Sequence, residues 1–270
     1  MMRGLHTPVR AIRRRVFKEV AQLGFKADED TLLADMEAIP YAIVNEDSEK
    51  YRESVYRARA IVRERLRLAM GLSLRPENKP VHLTAGVEAS NISEKYYEPP
   101  LMQVIPSACE SCEENKYEVS NICKGCLAHP CQEVCPKDAI SMVNGRSYID
   151  QEKCIKCGKC KSVCPYDAIA KKERPCQKAC GVNAIKSDKM GRAYIDNEKC
   201  VSCGMCMVSC PFGAISDKSQ IFQLARALSE GENVIAEIAP AFVGQFGDNI
   251  TPRNIKAALR ELGFSEVYEV

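Results

Sequence analysis

The chain lacks any apolar run of about 18 residues, the length a bilayer-spanning helix needs, so no membrane span is expected. It lacks a dominant charge as well. Its 38 Lys and Arg stand against 36 Asp and Glu, a formal +2, which argues against a polyanionic partner such as nucleic acid. The first 108 residues and the last 60 contain no cysteine. A secreted, disulfide-stapled protein would spread its cysteines along the chain, so that class is excluded. An apolar core behind a basic start is also missing. Arg14-Arg15-Val16-Phe17-Lys18 has the outline of a twin-arginine signal, but Lys18-Glu19 follows where such a signal needs an apolar stretch, and the arginines are read as a helix face. These absences point to the reducing cytoplasm. With 46 % hydrophobic and 27 % charged residues, the composition is that of an ordinary folded protein of about two domains.

What the sequence does have is sixteen cysteines between Cys109 and Cys210, a cluster that in such a compartment binds metal or does redox work. Two segments read C-x2-C-x2-C-x3-C-P: Cys154, Cys157, Cys160, Cys164-Pro165 and Cys200, Cys203, Cys206, Cys210-Pro211. One tight loop of this kind offers three thiolates to three corners of an iron-sulfur cube, and the fourth points to a second cube. Gly158 and Gly204, each following the second cysteine, allow the turn. A zinc site pairs two C-x2-C knuckles and would leave a cysteine and the C-P surplus, so the spacing favours [4Fe-4S] clusters. Cys123, Cys126, Cys131 and Cys135-Pro136 form a third run with a longer second gap. By crossover, one cluster is expected on Cys123, Cys126, Cys131 and Cys164, and another on Cys154, Cys157, Cys160 and Cys135. His129 in the longer loop is read as a surface residue rather than a ligand.

An internal repeat places the remaining cysteines. Cys135-Pro-Lys-Asp-Ala-Ile, then Gly145-Arg-Ser-Tyr-Ile-Asp150 and Cys154, matches Cys180-Gly-Val-Asn-Ala-Ile, then Gly191-Arg-Ala-Tyr-Ile-Asp196 and Cys200. Cys180 is therefore expected to complete the cluster of Cys200, Cys203 and Cys206. Cys176 lacks upstream partners, and Cys109-x2-Cys112 is the pair left over. The inference is a second ferredoxin-like unit with the first inserted in its opening loop, and a fourth cluster on Cys109, Cys112, Cys176 and Cys210. The competing reading makes Cys109 and Cys112 ordinary thiols and removes that cluster. Gly181 stands where the other three runs have proline. Ala139-Ile140, Ala168-Ile169, Ala184-Ile185 and Ala214-Ile215 are expected to form an apolar sleeve that keeps water from the sulfurs. Tyr148, Tyr166, Tyr194 and Phe212 are read as packing residues.

The flanks carry helical and mixed patterns, and the fold class expected is α+β. Residues 1–100 are read as a helical region and linker, 101–217 as the nested dicluster modules, and 218–270 as the first β-α-β of an α/β domain. Thr7-Pro8 opens a helix with Val9, Ile12, Val16, Val20 and Leu23 on one side. A second helix is expected over Thr31–Ala38, ending before Pro40, and a third from about Glu49 to Met70, stopped by Gly71. Tyr51, Val55, Ala58, Val62, Leu66 and Met70 form its stripe. Between Lys50 and Arg67 seven basic residues face two acidic ones, read mainly as a solvated positive face, with docking of an acidic redox partner as the weaker reading. Leu74–Pro106 reads as an irregular linker. A helix over Lys218–Leu228, a strand at Val234–Ile238, a helix over Pro252–Leu262 and a strand at Glu266–Val270, without a partner, complete the chain.

The cysteine runs resemble bacterial two-cluster ferredoxins in tandem. The tail, with Cys210-Pro-Phe-Gly-Ala-Ile, Asn233-Val-Ile-Ala-Glu-Ile-Ala-Pro-Ala241, Asn254-Ile-Lys-Ala-Ala-Leu-Arg-Glu-Leu-Gly-Phe264 and Val267-Tyr-Glu-Val270, resembles the junction of accessory ferredoxin clusters and catalytic domain in monomeric FeFe hydrogenases. That resemblance implies a parent enzyme interconverting protons and electrons with dihydrogen, in which Ala239, Pro240 and Ala241 would approach the active-site H-cluster. It implies electrons from a soluble ferredoxin or similar low-potential carrier. No cysteine follows Cys210, so these residues alone cannot hold an H-cluster. The alternative is a free-standing polyferredoxin.

Overall fold

The computed structural model describes residues 6–26, 29–45, 52–90, 99–247 and 249–270. They divide into two compact units: Cys109–Pro211, and the segments before and after that stretch.

The flanking unit begins with α1 (Pro8–Lys26), opened by the Thr7 hydroxyl, which accepts the Arg10 N–H at 3.2 Å. Val16, Val20 and Leu23 of α1 are buried with Met36, Ile39 and Ile43 of α2 (Glu29–Ile43) and Ala58, Val62 and Leu66 of α3 (Val55–Ala69). Two expected boundaries change. The second helix does not end before Pro40 but runs through it. Pro40 is itself fully buried, and that burial outweighs the one backbone bond its ring removes. The third helix starts at Val55 because the Ser54 hydroxyl caps it, accepting the Arg57 N–H at 3.4 Å. The expected start at Glu49, and Tyr51 of the stripe, lie outside the described residues. Gly71 does end it, with φ +78°.

The solvated positive face on α3 is also corrected. Glu64, Arg65 and Arg67 are buried at 8 %, 5 % and 6 % exposure. The arginines reach inward to backbone carbonyls: Arg67 to Ser73, Leu83 and Ala85 at 2.9, 2.7 and 2.9 Å, and Arg59 to Val44 at 2.9 Å. Arg65 bonds the carbonyl of Gly213, and Arg52 that of Phe212 at 2.7 Å. Loop carbonyls with no ladder of their own need donors when buried, and a planar five-donor guanidinium serves several at once.

After α4 (Val87–Ser90) the stretch read as linker ends in a strand, β1 (Met102–Val104). The cysteine unit then runs β2 (Lys116–Val119), α5 (Pro130–Glu133), β3 (Ile140–Val143), β4 (Arg146–Ile149), α6 (Lys159–Ser162), β5 (Ile169–Lys172), α7 (Pro175–Lys178), β6 (Ile185–Ser187), β7 (Ala193–Ile195) and α8 (Met205–Ser209). β3 and β4 pair as an antiparallel hairpin, as do β6 and β7. β2 and β5 pair antiparallel from Lys116–Lys172 to Val119–Ile169 and so bracket everything between Ser120 and Ala168. The Ser120 N–H extends the ladder to the Ala168 carbonyl at 2.8 Å.

Back in the flanking unit, β8 (Ile215–Asp217) pairs antiparallel with β1. α9 (Ile221–Ser229) lays Phe222 and Ala225 against α1 where Gly24 leaves room, since a Cβ there would stand 2.7 Å from the Ala225 Cβ. β9 (Ile235–Ile238), α10 (Pro252–Glu261) and β10 (Glu266–Glu269) follow. The last strand has a partner after all: β10 pairs in parallel with β9, because Thr251 caps α10 and Gly263 ends it, turning the chain back. No helix among the described residues is long and apolar enough to cross a membrane.

Candidate iron-sulfur centres

The backbone repeats itself at every cysteine run. In each C-x2-C pair the residue before the second cysteine is left-handed: Ser111 at φ 46°, Gly125 at 57°, Lys156 at 59° and Ser202 at 54°. Cys109-x2-Cys112 thus has the same local shape as the three pairs inside longer motifs. A second left-handed residue stands three positions after each fourth cysteine: Asp138 at 48°, Asp167 at 48°, Asn183 at 52° and Gly213 at 59°. Asp, Asn and Gly are the types that enter this region at least cost. The turn folds the next amide back on the sulfur, so the N–H groups of Ala139, Ala168 and Ala184 donate to Sγ of Cys135, Cys164 and Cys180 at 3.3, 3.4 and 3.2 Å. Sequence reasoning missed these bonds, and the signal was present: each shared Ala-Ile pair follows Asp, Asn or Gly. Gly181, in proline's place, keeps the turn, since Asn183 and Ala184 bond back to Cys180 as their counterparts do.

These turns aim the thiols into shared spaces. Cys123, Cys126, Cys131 and Cys164 line one cavity with Val119, Pro130 and Ile169, about 330 Å³ including its open mouth. Cys135, Cys154, Cys157 and Cys160 line another of about 340 Å³ with Tyr117, Ile140 and Ile149. Burial pushes the Cys206 thiol up to about 11, and Cys200, Cys180 and Cys203 beside it push the same way. Burial likewise pushes Cys176 up to about 12, helped by Cys210 and Cys109, and raises Cys112 with help from the same two. Cys160 is raised by burial, whereas Cys123 is lowered by hydrogen bonding from the Ser147 backbone. Burial favours the protonated form of these thiols, so a metal held by their thiolates would displace protons.

Among the described residues, no three His, Cys, Asp or Glu side chains gather closely enough to hold a single metal ion. Sets of four thiols spread round a cavity fit a polynuclear iron-sulfur group and do not fit zinc. His129 is half-buried, has φ 40° at the start of α5 and makes no capping bond. The four Ala-Ile pairs are all at or below 4 % exposure. The tyrosines correct the packing expectation: Tyr148, Tyr166 and Tyr194 are 56 %, 47 % and 54 % exposed, Tyr148 and Tyr194 because strand alternation turns them outward from buried Ile149 and Ile195, and Tyr166 in a surface turn. Phe212 is half-buried under the Arg52 guanidinium, 5.8 Å from its ring centre. Ala239, Pro240 and Ala241 are exposed in a short 3-10 turn beyond the C-terminal end of β9, the end of a parallel strand where α/β folds bind ligands.

Comparison with known proteins agrees with this chemistry. The LdpA Fe-S cluster-binding domain family matches residues 123–174, the 4Fe-4S binding domain family residues 193–216, and the family of the iron only hydrogenase large subunit, C-terminal domain, residues 232–270. An uncharacterised ferredoxin of Methanocaldococcus jannaschii is 33 % identical over 99 residues, covering 30 % of this chain and 63 % of that protein. The electron transport protein HydN of Escherichia coli is 37 % identical over 71 residues, 26 % of this chain and 41 % of HydN. The chain thus spans less than two thirds of either relative. A ferredoxin 7Fe of Hydrogenibacillus schlegelii is 43 % identical over 53 residues, 20 % of this chain and 68 % of its own length. In its cysteine-rich part the chain belongs to the ferredoxins.

Proposed function

We propose that the chain carries four [4Fe-4S] clusters and forms the accessory electron wire of an FeFe hydrogenase. The ligand sets are Cys123, Cys126, Cys131 and Cys164; Cys154, Cys157, Cys160 and Cys135; Cys200, Cys203, Cys206 and Cys180; and Cys109, Cys112, Cys176 and Cys210. The carrying observation is the neighbourhood of these thiols: two sets line one cavity each, Cys206 lies close enough to Cys200, Cys180 and Cys203 for them to raise it, and Cys176 and Cys112 are raised by Cys210 and Cys109. Nesting of one module in the other is supported by the β2–β5 ladder, which brackets the inner runs, and by the left-handed Ser111 of the outer pair.

When bound, such clusters supply one-electron transfer at low potential. The chain's own residues do the rest. The Ala139, Ala168 and Ala184 amides hydrogen-bond the sulfurs and favour their negative charge. The buried Ala-Ile pairs exclude water. Lys137 and Lys159 line the mouth of the Cys154 cavity, with Lys156 and Lys161 exposed on the same loop and helix, a rim suited to an acidic, soluble carrier such as a ferredoxin in the cytoplasm.

The hydrogenase assignment draws on the match over 232–270 and on the parallel β9–β10 pair, where Ile235, Val243, Phe246, Leu262 and Tyr268 are exposed and suit a covering layer of a larger catalytic domain. In that reading Ala239, Pro240 and Ala241 face an H-cluster whose ligands belong to a longer parent chain. A free-standing polyferredoxin is the second reading, favoured by ferredoxin relatives whose matches span 99 and 53 residues. An open frame past Val270 into further cysteine motifs supports the first, and a stop codon there the second.

Anaerobic reconstitution with iron and sulfide counting tests the cluster number. About sixteen irons per chain are expected, four for each cube, and about twelve or fewer overturn the four-centre reading.

A further inference from the structure

The inner and outer modules differ in what positions their first cysteine pair. In the inner one, Cys126 is followed at once by Leu127-Ala128-His129-Pro130-Cys131, so the chain itself ties the pair to its third cysteine. In the outer one, everything from Glu113 to Pro175 lies between Cys112 and Cys176. The β2–β5 ladder brings the two ends of that insertion together but leaves the 109–112 loop to be oriented.

At this gap stands Arg174, before Pro175-Cys176 as His129 stands before Pro130-Cys131. It is 3 % exposed. Nε and Nη2 both donate to the Cys112 carbonyl, at 2.9 and 2.7 Å. Nη2 also donates to the Gly191 carbonyl at 2.7 Å, and Nη1 to Ser187 Oγ at 2.8 Å and the Lys186 carbonyl at 3.5 Å. The Glu114 carboxylate, 3.9 Å from Nη1, accepts the Ser187 hydroxyl and is half exposed, so it neutralises the cation only in part. One planar guanidinium thereby joins the Cys109–Cys112 loop, β6 and the turn before β7.

We propose that Arg174 is a positioning residue for the centre of Cys109, Cys112, Cys176 and Cys210: its guanidinium replaces the missing chain connection by clamping the Cys112 carbonyl, and its buried positive charge makes that centre easier to reduce. This rests on the four-centre reading above. A cation held there favours the added negative charge of the reduced state. Lysine could keep the charge but not the fork, and glutamine could keep part of the bonding but not the charge.

The test uses the full chain, reconstituted anaerobically, with iron counting and paramagnetic-resonance redox titration of Arg174→Gln and Arg174→Lys. A Cys176→Ser variant identifies the signal of the outer centre. In Arg174→Gln that centre alone is expected to become harder to reduce by about tenfold, about 59 mV for one electron, or alone to fail to assemble, with about four irons lost. Arg174→Lys is expected to restore the midpoint yet lose iron from that centre faster under a chelator. Sixteen irons and unchanged midpoints in Arg174→Gln overturn the inference. So does loss of iron from all centres alike, which would mark a general folding role. About twelve irons in the unmutated chain overturn the four-centre reading itself and take the inference with it.

Discussion

At the scale of single residues, the left-handed turn after each fourth cysteine decides how the sulfur is held. Asp167 sits at φ 48°, and the Ala168 N–H it turns back reaches Cys164 Sγ at 3.4 Å. A β-branched side chain is strained there, so Asp167→Val is expected to lower stability by about 1–3 kcal/mol, with Asp167→Gly close to neutral. Anaerobic thermal unfolding of the two variants checks this. Charge offers a second residue-scale prediction. Lys171 and Lys178 hydrogen-bond the Glu173 carboxylate and hold it down from 4.5 to about 2. A depressed carboxylate contributes stability above its unfolded value that is lost as pH falls through the folded one. The stability difference between the native chain and Glu173→Gln is therefore expected to be constant above about pH 5 and to shrink between 4.5 and about 2, read from urea midpoints. A difference that grows on acidification would refute the ion-pair account.

At the scale of elements, close packing of α1 on α9 depends on a missing side chain. A Cβ at Gly24 would stand 2.7 Å from both the Ala225 Cβ and the Phe222 carbonyl. Alanine gains about 1 kcal/mol of helix propensity, while overpacking costs about 1–3, so Gly24→Ala is expected to destabilise the helical unit. A shift of its denaturation midpoint to lower urea is the readout. Elements were legible where pattern and packing agreed. Thr7-Pro8 and Thr251-Pro252 mark helix starts, and those helices begin at Pro8 and Pro252. Pro40 was misleading because tertiary burial overrode a local rule. The arginines of α3 misled too, since sequence records their charge and not the loop carbonyls they serve.

At the scale of the whole molecule, the proposed crossover would make distant cysteines act as one. Cys131→Ser and Cys164→Ser are each expected to abolish the same resonance centre, and the double variant to lose about four irons, no more than either single. Pairing Cys131→Ser with Cys160→Ser should instead lose about eight, and equal losses from both pairs would rule the crossover out.

The sequence by itself determined the chemistry. Thiol spacing along a few residues dictates that three sulfurs leave one loop, and a repeat of that spacing dictates how many loops there are. It also determined two helix starts, at Pro8 and Pro252, through hydroxyl and proline pairs that act within one turn. Only the tertiary structure decided that Arg174 bridges Cys112 to β6, and that the α3 arginines point inward. Those contacts join residues far apart in the chain, where burial and unsatisfied carbonyls, rather than local spacing, set the free energy.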